Sequence, residues 1–339
     1  MASLLLIALC LALPAGFVNA APDYKETLKA AELGNAGAQF DLGIMYYLGE
    51  SIRQDYAQAA SWFRKAAEQG VAAAQFVLGE MYRKGQGVRQ DYAQAVSLLR
   101  KAAEQGVTEA QFALGEMYRK GQGVEQDYTK AFNLFRKSAE QGYADAQFSL
   151  GVMYRDGLGV KQDYIQAANW SRKAAEQGGV GAQHNLGFMY YNGQGLRQDY
   201  TQAVNWFRKA AEQGYADAQS ILGFMYGSGQ GVSQDYIQAV NWYRKAAEQG
   251  NATAQFNLGF MYDSGQGVSQ DYIKAANWYH KAAEQGYAHA QHNLGIMYEN
   301  GQGIRQDSSI AKEWFGKACD NGIQDGCDEY RVLNEQGVR

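Results

Sequence analysis

The residues best able to bind a transition metal are four histidines, at His184, His280, His289 and His292. His289 and His292 are three positions apart, a spacing that places both imidazoles on one face of a helix. A zinc site needs three or four converging ligands. No carboxylate or thiol motif accompanies these imidazoles. We therefore expect no metal and no other cofactor.

A second candidate for chemistry is the pair Ser309 and Lys312, which have the Ser-x-x-Lys spacing of penicillin-recognising serine enzymes. The companion S-D-N and K-T-G motifs are absent. The repeated G-x-G turns also lack the third glycine and preceding strand of a dinucleotide-binding loop. We therefore predict a protein that is not an enzyme. A penicillin-binding or weakly β-lactamase-like envelope hydrolase remains the alternative.

The first twenty residues have the pattern of an exported protein's leader. Residues 1–20 carry no charged side chain, and the apolar run from Leu4 to Leu13 precedes small residues at the end of the segment. We predict a signal peptide over residues 1–20 and a periplasmic or secreted protein without a membrane span after cleavage. Because the segment lacks a Lys or Arg near its start, an uncleaved N-terminal anchor stays open as the alternative.

The charge and the cysteines bear on partners and on the redox compartment. The net charge of −4 provides no basic face for phosphates, so we expect no nucleic-acid partner. Removal of the leader leaves Cys319 and Cys327, and an even pair in an exported protein predicts one disulfide. We expect a monomer.

A strict internal period determines the fold class. A Leu-Gly pair recurs with its glycine every 36 residues, at Gly43, Gly79, Gly115, Gly151, Gly187, Gly223, Gly259 and Gly295. Such self-similarity is typical of a solenoid. We predict an all-α protein with eight helix–turn–helix repeats over residues 35–322. An N-terminal capping helix over 21–34 and a C-terminal capping helix and tail over 323–339 complete the array.

The second repeat illustrates the predicted unit. Its apolar spacing predicts a first helix from about residue 73 to 84, ended by Gly85. Asp91 is the predicted N-cap of the second helix, with Gln94 completing a capping box. Glycine inside a helix costs about 1 kcal/mol relative to alanine. Gly79 must therefore need the missing side chain, and we expect it to let the helix backbones approach closely.

The unit AxAQxxLGxMYxxGxGVxQDYxxAxxWxRKAAEQG resembles the Sel-1-like repeat, a 36-residue relative of the tetratricopeptide repeat. The resemblance covers residues 35–322, about 85% of the chain. It implies a right-handed superhelix with a concave groove lined by first helices, and a role as adaptor or scaffold. The C-terminal segment KACDNGIQDGCDEY is similar to the cysteine spacing of the exported cysteine-rich branch. Bacterial members are associated with host interaction and peptidoglycan-related complexes.

The resemblance also indicates which first-helix positions face a partner, namely the equivalents of Gly37, Phe40, Asp41, Ile44, Tyr47 and Leu48. In the second half these positions become aromatic and amide-rich, and we predict a groove for a protein, a peptide or a glycan such as peptidoglycan. Its predicted residues are His184, Asn185, Phe188, Tyr191, Phe224, Asn257, Phe260 and Asn293. Packing of the three phenylalanines between repeats is the alternative. We expect the charged equivalents, Glu80, Arg83 and Lys84 with Glu116, Arg119 and Lys120, to form a solvated face with i,i+3 and i,i+4 ion pairs.

Overall fold

The structure, a computed structural model, describes residues 23–49 and 51–338. These residues form helices only, which confirms the predicted all-α class. The predicted signal peptide over 1–20 and its alternative, an uncleaved anchor, lie outside the described residues. Among the residues described, every helix is too short or too polar to cross a bilayer.

The chain divides into two compact units, the first ending at Ala174 and the second beginning at Ala175. The first unit contains α1 (Tyr24–Glu32), α2 (Ala36–Leu48), α3 (Tyr56–Glu68), α4 (Ala72–Lys84), α5 (Tyr92–Glu104), α6 (Thr108–Lys120), α7 (Tyr128–Glu140), α8 (Ala144–Asp156) and most of α9 (Tyr164–Glu176). The second contains α10 (Val180–Asn192), α11 (Tyr200–Glu212), α12 (Ala216–Ser228), α13 (Tyr236–Glu248), α14 (Ala252–Ser264), α15 (Tyr272–Glu284), α16 (Ala288–Asn300), α17 (Ser308–Asp320) and α18 (Gln324–Glu335). Each unit is a stack of helix pairs, with even-numbered first helices and odd-numbered second helices in the repeats.

The ends of the helices follow from local chemistry. Gly85 ends α4 in the left-handed region at φ 69°, where a side chain would be strained. The Asp91 carboxylate begins α5 by accepting the backbone N–H of Gln94 at 3.0 Å. The predicted capping box is wrong in its second half, because the backbone N–H of Asp91 donates to the Tyr82 carbonyl at 3.0 Å. That bond instead ties the start of the second helix to the end of the first.

The mid-helix glycine makes room for a side chain of the second helix. A Cβ on Gly79 would lie 2.9 Å from Cγ of Leu99 and 3.4 Å from the carbonyl oxygen of Ala95. In six other repeats the nearest group is an aromatic ring: Phe63, Phe135, Phe207, Tyr243, Tyr279 or Phe315. The expectation of close backbone approach therefore needs correction. The glycine mainly accepts a large side chain, and only in the fourth repeat, beside Ser171, do small groups surround it.

The second glycine of the turn serves the stacking of one repeat on the next. Gly87 has φ 70°, and a Cβ there would overlap the backbone carbonyl of Tyr56 in the preceding repeat. The equivalent glycine of the third repeat, Gly123, stands against Tyr92 in the same way. Only glycine combines this positive φ with so close an approach.

A buried glutamine at the start of each first helix joins neighbouring repeats. Gln75 donates to the carbonyl of Ala67 in the preceding second helix at 3.2 Å. Its own side-chain oxygen accepts from Gln105 at 2.8 Å. The second unit repeats this arrangement, for example at Gln219, which donates to Ala211 and accepts from Gln249. Each amide thus adds a second donor to a carbonyl at the end of a second helix, which already accepts a backbone N–H, for example that of Gly70 at Ala67.

The two terminal helices lie in the segments predicted to be caps. Tyr24 of α1 contacts Tyr46 of α2 through the two hydroxyls, which are 3.3 Å apart. At the other end, Cys319 of α17 and Cys327 of α18 form a disulfide with their Cα atoms 4.6 Å apart. The predicted disulfide is therefore present.

Candidate ligand-binding surfaces

The predicted groove residues of the second unit lie on the first helices α10, α12, α14 and α16. Four of the eight line one cavity of about 240 Å³, formed by Phe188, Tyr191, Ser220, Ile221, Phe224, Thr253 and Asn257. We call these seven residues the aromatic surface. Sequence reasoning missed Ser220, Ile221 and Thr253. Their side chains are small or aliphatic, so their residue types give no signal in the sequence. Only the stacking of the helices places them at the cavity.

The phenylalanines of this region remain substantially exposed. Phe188, Phe224 and Phe260 are 37%, 45% and 44% exposed, so they are not enclosed between repeats. Phe188 packs edge-on against Phe207 of α11, with ring centroids 5.3 Å apart. The three rings thus form a row of exposed apolar side chains at one repeated position.

His184 lies behind the aromatic surface rather than on it. Its imidazole packs edge-on against Phe188 and Tyr215, at centroid distances of 4.9 and 4.8 Å. Burial lowers its pKa, with Asp217 opposing the shift, so the ring is neutral near pH 7. Its Nε2 is buried without a hydrogen-bond partner. His184 therefore supports the orientation of Phe188.

The other predicted groove residues have separate positions. Tyr191 donates its hydroxyl to Gln230 at 3.0 Å, which fixes the ring at the edge of the cavity. Asn185, Phe260 and Asn293 do not line the cavity. Asn293 interacts with the buried phenol of Tyr279. Of the eight predicted groove residues, four therefore line the cavity and four lie outside it.

The first unit contains a larger cavity, of about 390 Å³, between α4 and α6. It is lined by Tyr47, Phe76, Val77, Glu80, Met81, Arg83, Lys84, Gln86, Glu109, Phe112, Ala113, Glu116, Lys120, Tyr143 and Asp145. We call it the charged pocket. Its lining includes the equivalents of the aromatic surface's positions, filled here by charged side chains over an aromatic floor.

The expected ion pairs of this region are present, and the expected solvated face holds for Lys84 and Lys120, which are exposed, but not for the two carboxylates. Glu80 binds Arg83 at 2.7 Å and Lys84 at 3.0 Å, and its side chain is only 17% exposed. Glu116 forms the same pairs with Arg119 and Lys120, at 2.8 and 3.0 Å. The ion pairs are partly enclosed because the neighbouring first helix covers one side of them.

The ionisation of these groups follows from two opposing effects. Burial alone would raise the pKa of Glu80, but hydrogen bonds and charge from Arg83 and Lys84 outweigh it and hold the pKa below its ordinary value. The pKa of Glu116 is lowered for the same reasons. Burial, with the charge of Asp145 beside it, raises the pKa of Tyr143, so its phenol stays neutral. Both carboxylates are therefore ionised at neutral pH.

The other residues considered for chemistry, the histidines and Lys312, have the following contacts. Among the described residues, no cluster of three or more His, Cys, Asp and Glu side chains is arranged to hold a metal ion. His280 faces Glu284 at 3.6 Å, and His292 packs on Phe315 at a centroid distance of 5.7 Å. The Lys312 ammonium donates to Asn334 at 2.9 Å and to the Val338 carbonyl at 2.6 Å.

Comparison with known proteins identifies the repeat. The Sel1 repeat profile matches eight consecutive segments, 36–71, 72–107, 108–143, 144–179, 180–215, 216–251, 252–287 and 288–323. The predicted array, 35–322, differs from these bounds by one residue. No curated protein matches the sequence.

Two solved structures are similar along most of the chain. One is a protective antigen present in uropathogenic Escherichia coli strains and displaying an SLR fold. It is 40% identical with a TM-score of 0.88, and the match covers 93% of this chain and 68% of that one. The other is a Sel1 repeat protein from Oxalobacter formigenes, 35% identical with a TM-score of 0.70, covering 91% of this chain and 89% of that one.

Proposed function

Since this chain belongs to the Sel1 repeat family, whose repeat occupies eight successive segments of it, we propose that it is a non-enzymatic binding scaffold. The proposed ligand site is the aromatic surface, and the proposed ligand is a protein or peptide segment. The observation that carries the proposal is the row of exposed phenylalanines, Phe188, Phe224 and Phe260, on successive first helices. Aromatic side chains dominate the binding energy of protein interfaces.

The proposed location is the periplasm or the outside of the cell. The disulfide between Cys319 and Cys327 supports an oxidising compartment. The leader-like residues 1–20 support export. Similarity to a protective antigen of uropathogenic Escherichia coli supports a surface that meets the host. We therefore propose host interaction as the setting for binding, with a peptidoglycan-related complex as the other setting.

The alternative, an envelope hydrolase acting through Ser309, has little support in the arrangement of its residues. A serine nucleophile needs an adjacent base. Lys312 instead directs its ammonium to Asn334 and Val338. We expect the purified protein not to hydrolyse the chromogenic β-lactam nitrocefin. Hydrolysis that disappears in Ser309→Ala would overturn the non-enzymatic proposal.

Binding by the aromatic surface is testable with defined ligands. A displayed library of twelve-residue peptides would be selected on the protein lacking residues 1–20. The selected peptides would then be measured on the triple variant Phe188→Ser, Phe224→Ser, Phe260→Ser. We expect affinity to fall at least about a hundredfold, because each truncated hot-spot residue costs about 1–2 kcal/mol or more.

The matched control is Ile165→Ser, Ile237→Ser, Ile273→Ser. These isoleucines are 62%, 62% and 64% exposed on second helices, so the variant removes comparable apolar surface elsewhere. Its binding should stay unchanged. Equal losses in both variants, or none in the phenylalanine variant, would remove the aromatic surface as the site. Isolated peptidoglycan that binds where no peptide does would replace the peptide with a glycan.

A further inference from the structure

The charged pocket of the first unit separates its charges along the helix axes. Arg83 and Lys84 stand in the last turn of α4, and Lys120 ends α6. Glu109 stands in the first turn of α6, and Asp145 in the first turn of α8. First helices of successive repeats run in the same direction, because each is followed by an antiparallel partner. The pocket therefore has a basic end and an acidic end.

The basic end keeps hydrogen-bonding capacity for an anion. The guanidinium of Arg83 has five N–H donors, and two of them, on Nε and Nη2, are used by Glu80. Three cations line this end, Arg83, Lys84 and Lys120, against the carboxylates of Glu80 and Glu116. Three positive and two negative charges leave an excess of one positive charge. The carboxylates thus orient the cations without neutralising them.

The carboxylates at the acidic end form no ion pair with a cation of the pocket. Neither Glu109 nor Asp145 belongs to any of the ion pairs formed between described residues. Asp145 interacts with the neighbouring phenol of Tyr143. Two negative charges with no compensating cation favour a ligand that supplies a positive group there.

The floor between the two ends is apolar. Phe112 lies at the centre of it, and its ring packs on Tyr143 at a centroid distance of 5.2 Å and on Phe135 at 5.4 Å. Phe76, Val77 and Ala113 complete the floor. The volume of about 390 Å³ falls in the range of roughly 300–1,000 Å³ found for small-ligand sites.

The spacing of the ends defines the length of the ligand. Glu109 and Lys120 are eleven residues apart on α6, a rise of about 16 Å at about 1.5 Å per residue. An extended peptide advances about 3.3 Å per residue, so about five positions cover that distance. We propose that the charged pocket binds an extended peptide segment with one basic and one acidic residue about five positions apart and an apolar residue between them. This site does not depend on the aromatic surface, which belongs to the other unit.

The test uses short synthetic peptides with blocked termini and a fluorescent label. The probe is a nine-residue peptide of alanine and serine that carries lysine and glutamate five positions apart, with phenylalanine between them, made in both charge orders. Three comparison peptides carry two lysines, two glutamates, or lysine and glutamate on adjacent positions. We expect the probe in one order to bind at least about tenfold more tightly than any comparison peptide, because only it reaches both ends.

Protein variants locate the binding site. Glu109→Gln with Asp145→Asn, and separately Lys84→Gln with Lys120→Gln, should each weaken the probe about tenfold, while circular dichroism melting checks that the fold is kept. The matched control is Lys101→Gln with Glu104→Gln, two exposed charges in the last turn of α5, which should leave binding unchanged.

A charge reversal gives the sharpest outcome. In Glu109→Lys with Asp145→Lys, the peptide with two glutamates should bind more tightly than the probe. Equal binding of all five peptides by the native protein would overturn the proposal. Binding of free lysine and free glutamate as tight as that of the probe would replace the peptide by separate small ions and would overturn it too.

Discussion

At the scale of single residues, Gly223 and Gly227 separate two roles of glycine within one helix, α12. A Cβ on Gly223 would lie 2.7 Å from Cδ1 of Tyr243, a ring that is only 5% exposed. A Cβ on Gly227, one turn later, would meet only the Cβ of Ala239 at an ordinary 3.7 Å. Gly223 is required by packing, whereas Gly227 only lowers the helix propensity of α12.

These two glycines give opposite predictions. Gly223→Ala should destabilise the protein by about 1–3 kcal/mol, because the buried ring of Tyr243 has to move. Gly227→Ala should stabilise it by about 0.5–1 kcal/mol, because alanine is the better helix former and meets no obstacle. Thermal unfolding followed by circular dichroism measures both changes. A lower melting temperature for Gly227→Ala would contradict this account.

At the scale of elements, α18 is joined to its neighbour by a covalent link. It is the last helix of the described chain, and the disulfide from Cys319 to Cys327 joins it to α17. Lys312 adds two hydrogen bonds to the segment that contains and follows α18, at Asn334 and Val338. A terminal helix has a neighbour on one side only, so these links replace the packing that an inner helix receives from the next repeat.

Removal of the disulfide should loosen this end first. In Cys319→Ser with Cys327→Ser, we expect a loss of about 2–3 kcal/mol, from the loop-closure entropy of an eight-residue separation. Amide hydrogen exchange should accelerate in residues 324–335. The helix α1 serves as the internal control, and its exchange should not change. Unchanged exchange in α18 would mean that packing alone holds it.

At the scale of the whole molecule, a strict repeat length makes the stabilising contacts modular. Within each unit, first helices contact the neighbouring second helices, and the Gln75 and Gly87 positions join neighbours only. No residue is inserted between the eight matched segments. Stability then depends on the repeats and their nearest-neighbour contacts.

Modularity predicts that one complete repeat of the first unit can be removed. Deletion of residues 72–107 joins equivalent positions, and we expect a folded, helical protein with seven repeats and a somewhat lower melting temperature. Deletion of 72–89 is the control, because it would place two second helices in succession and mismatch their buried faces. Circular dichroism spectra and melting distinguish the two deletions. Similar folding of both, or unfolding of the first, would contradict modular packing.

The sequence alone determined the helices, their pairing, the family and the position of the disulfide. These features are local or strictly periodic: Asp91 and Gly85 define helix ends, and a period of 36 residues predicts the repeat before any contact is known. The face carrying Phe188 and Phe224 was also predictable, because helical spacing assigns positions to faces.

Only the tertiary structure decided which helix faces are enclosed and which hydrogen bonds form. The charged equivalents of Phe188 and Phe224, Glu80 and Glu116, were expected on a solvated face, yet they line a cavity with Phe112 and Tyr143 of the third repeat. The capping box failed because the Asp91 N–H found the Tyr82 carbonyl instead. The physical reason is the same in both cases. Spacing along a helix fixes which side chains share a face, but burial and hydrogen bonding depend on how closely the next helix packs.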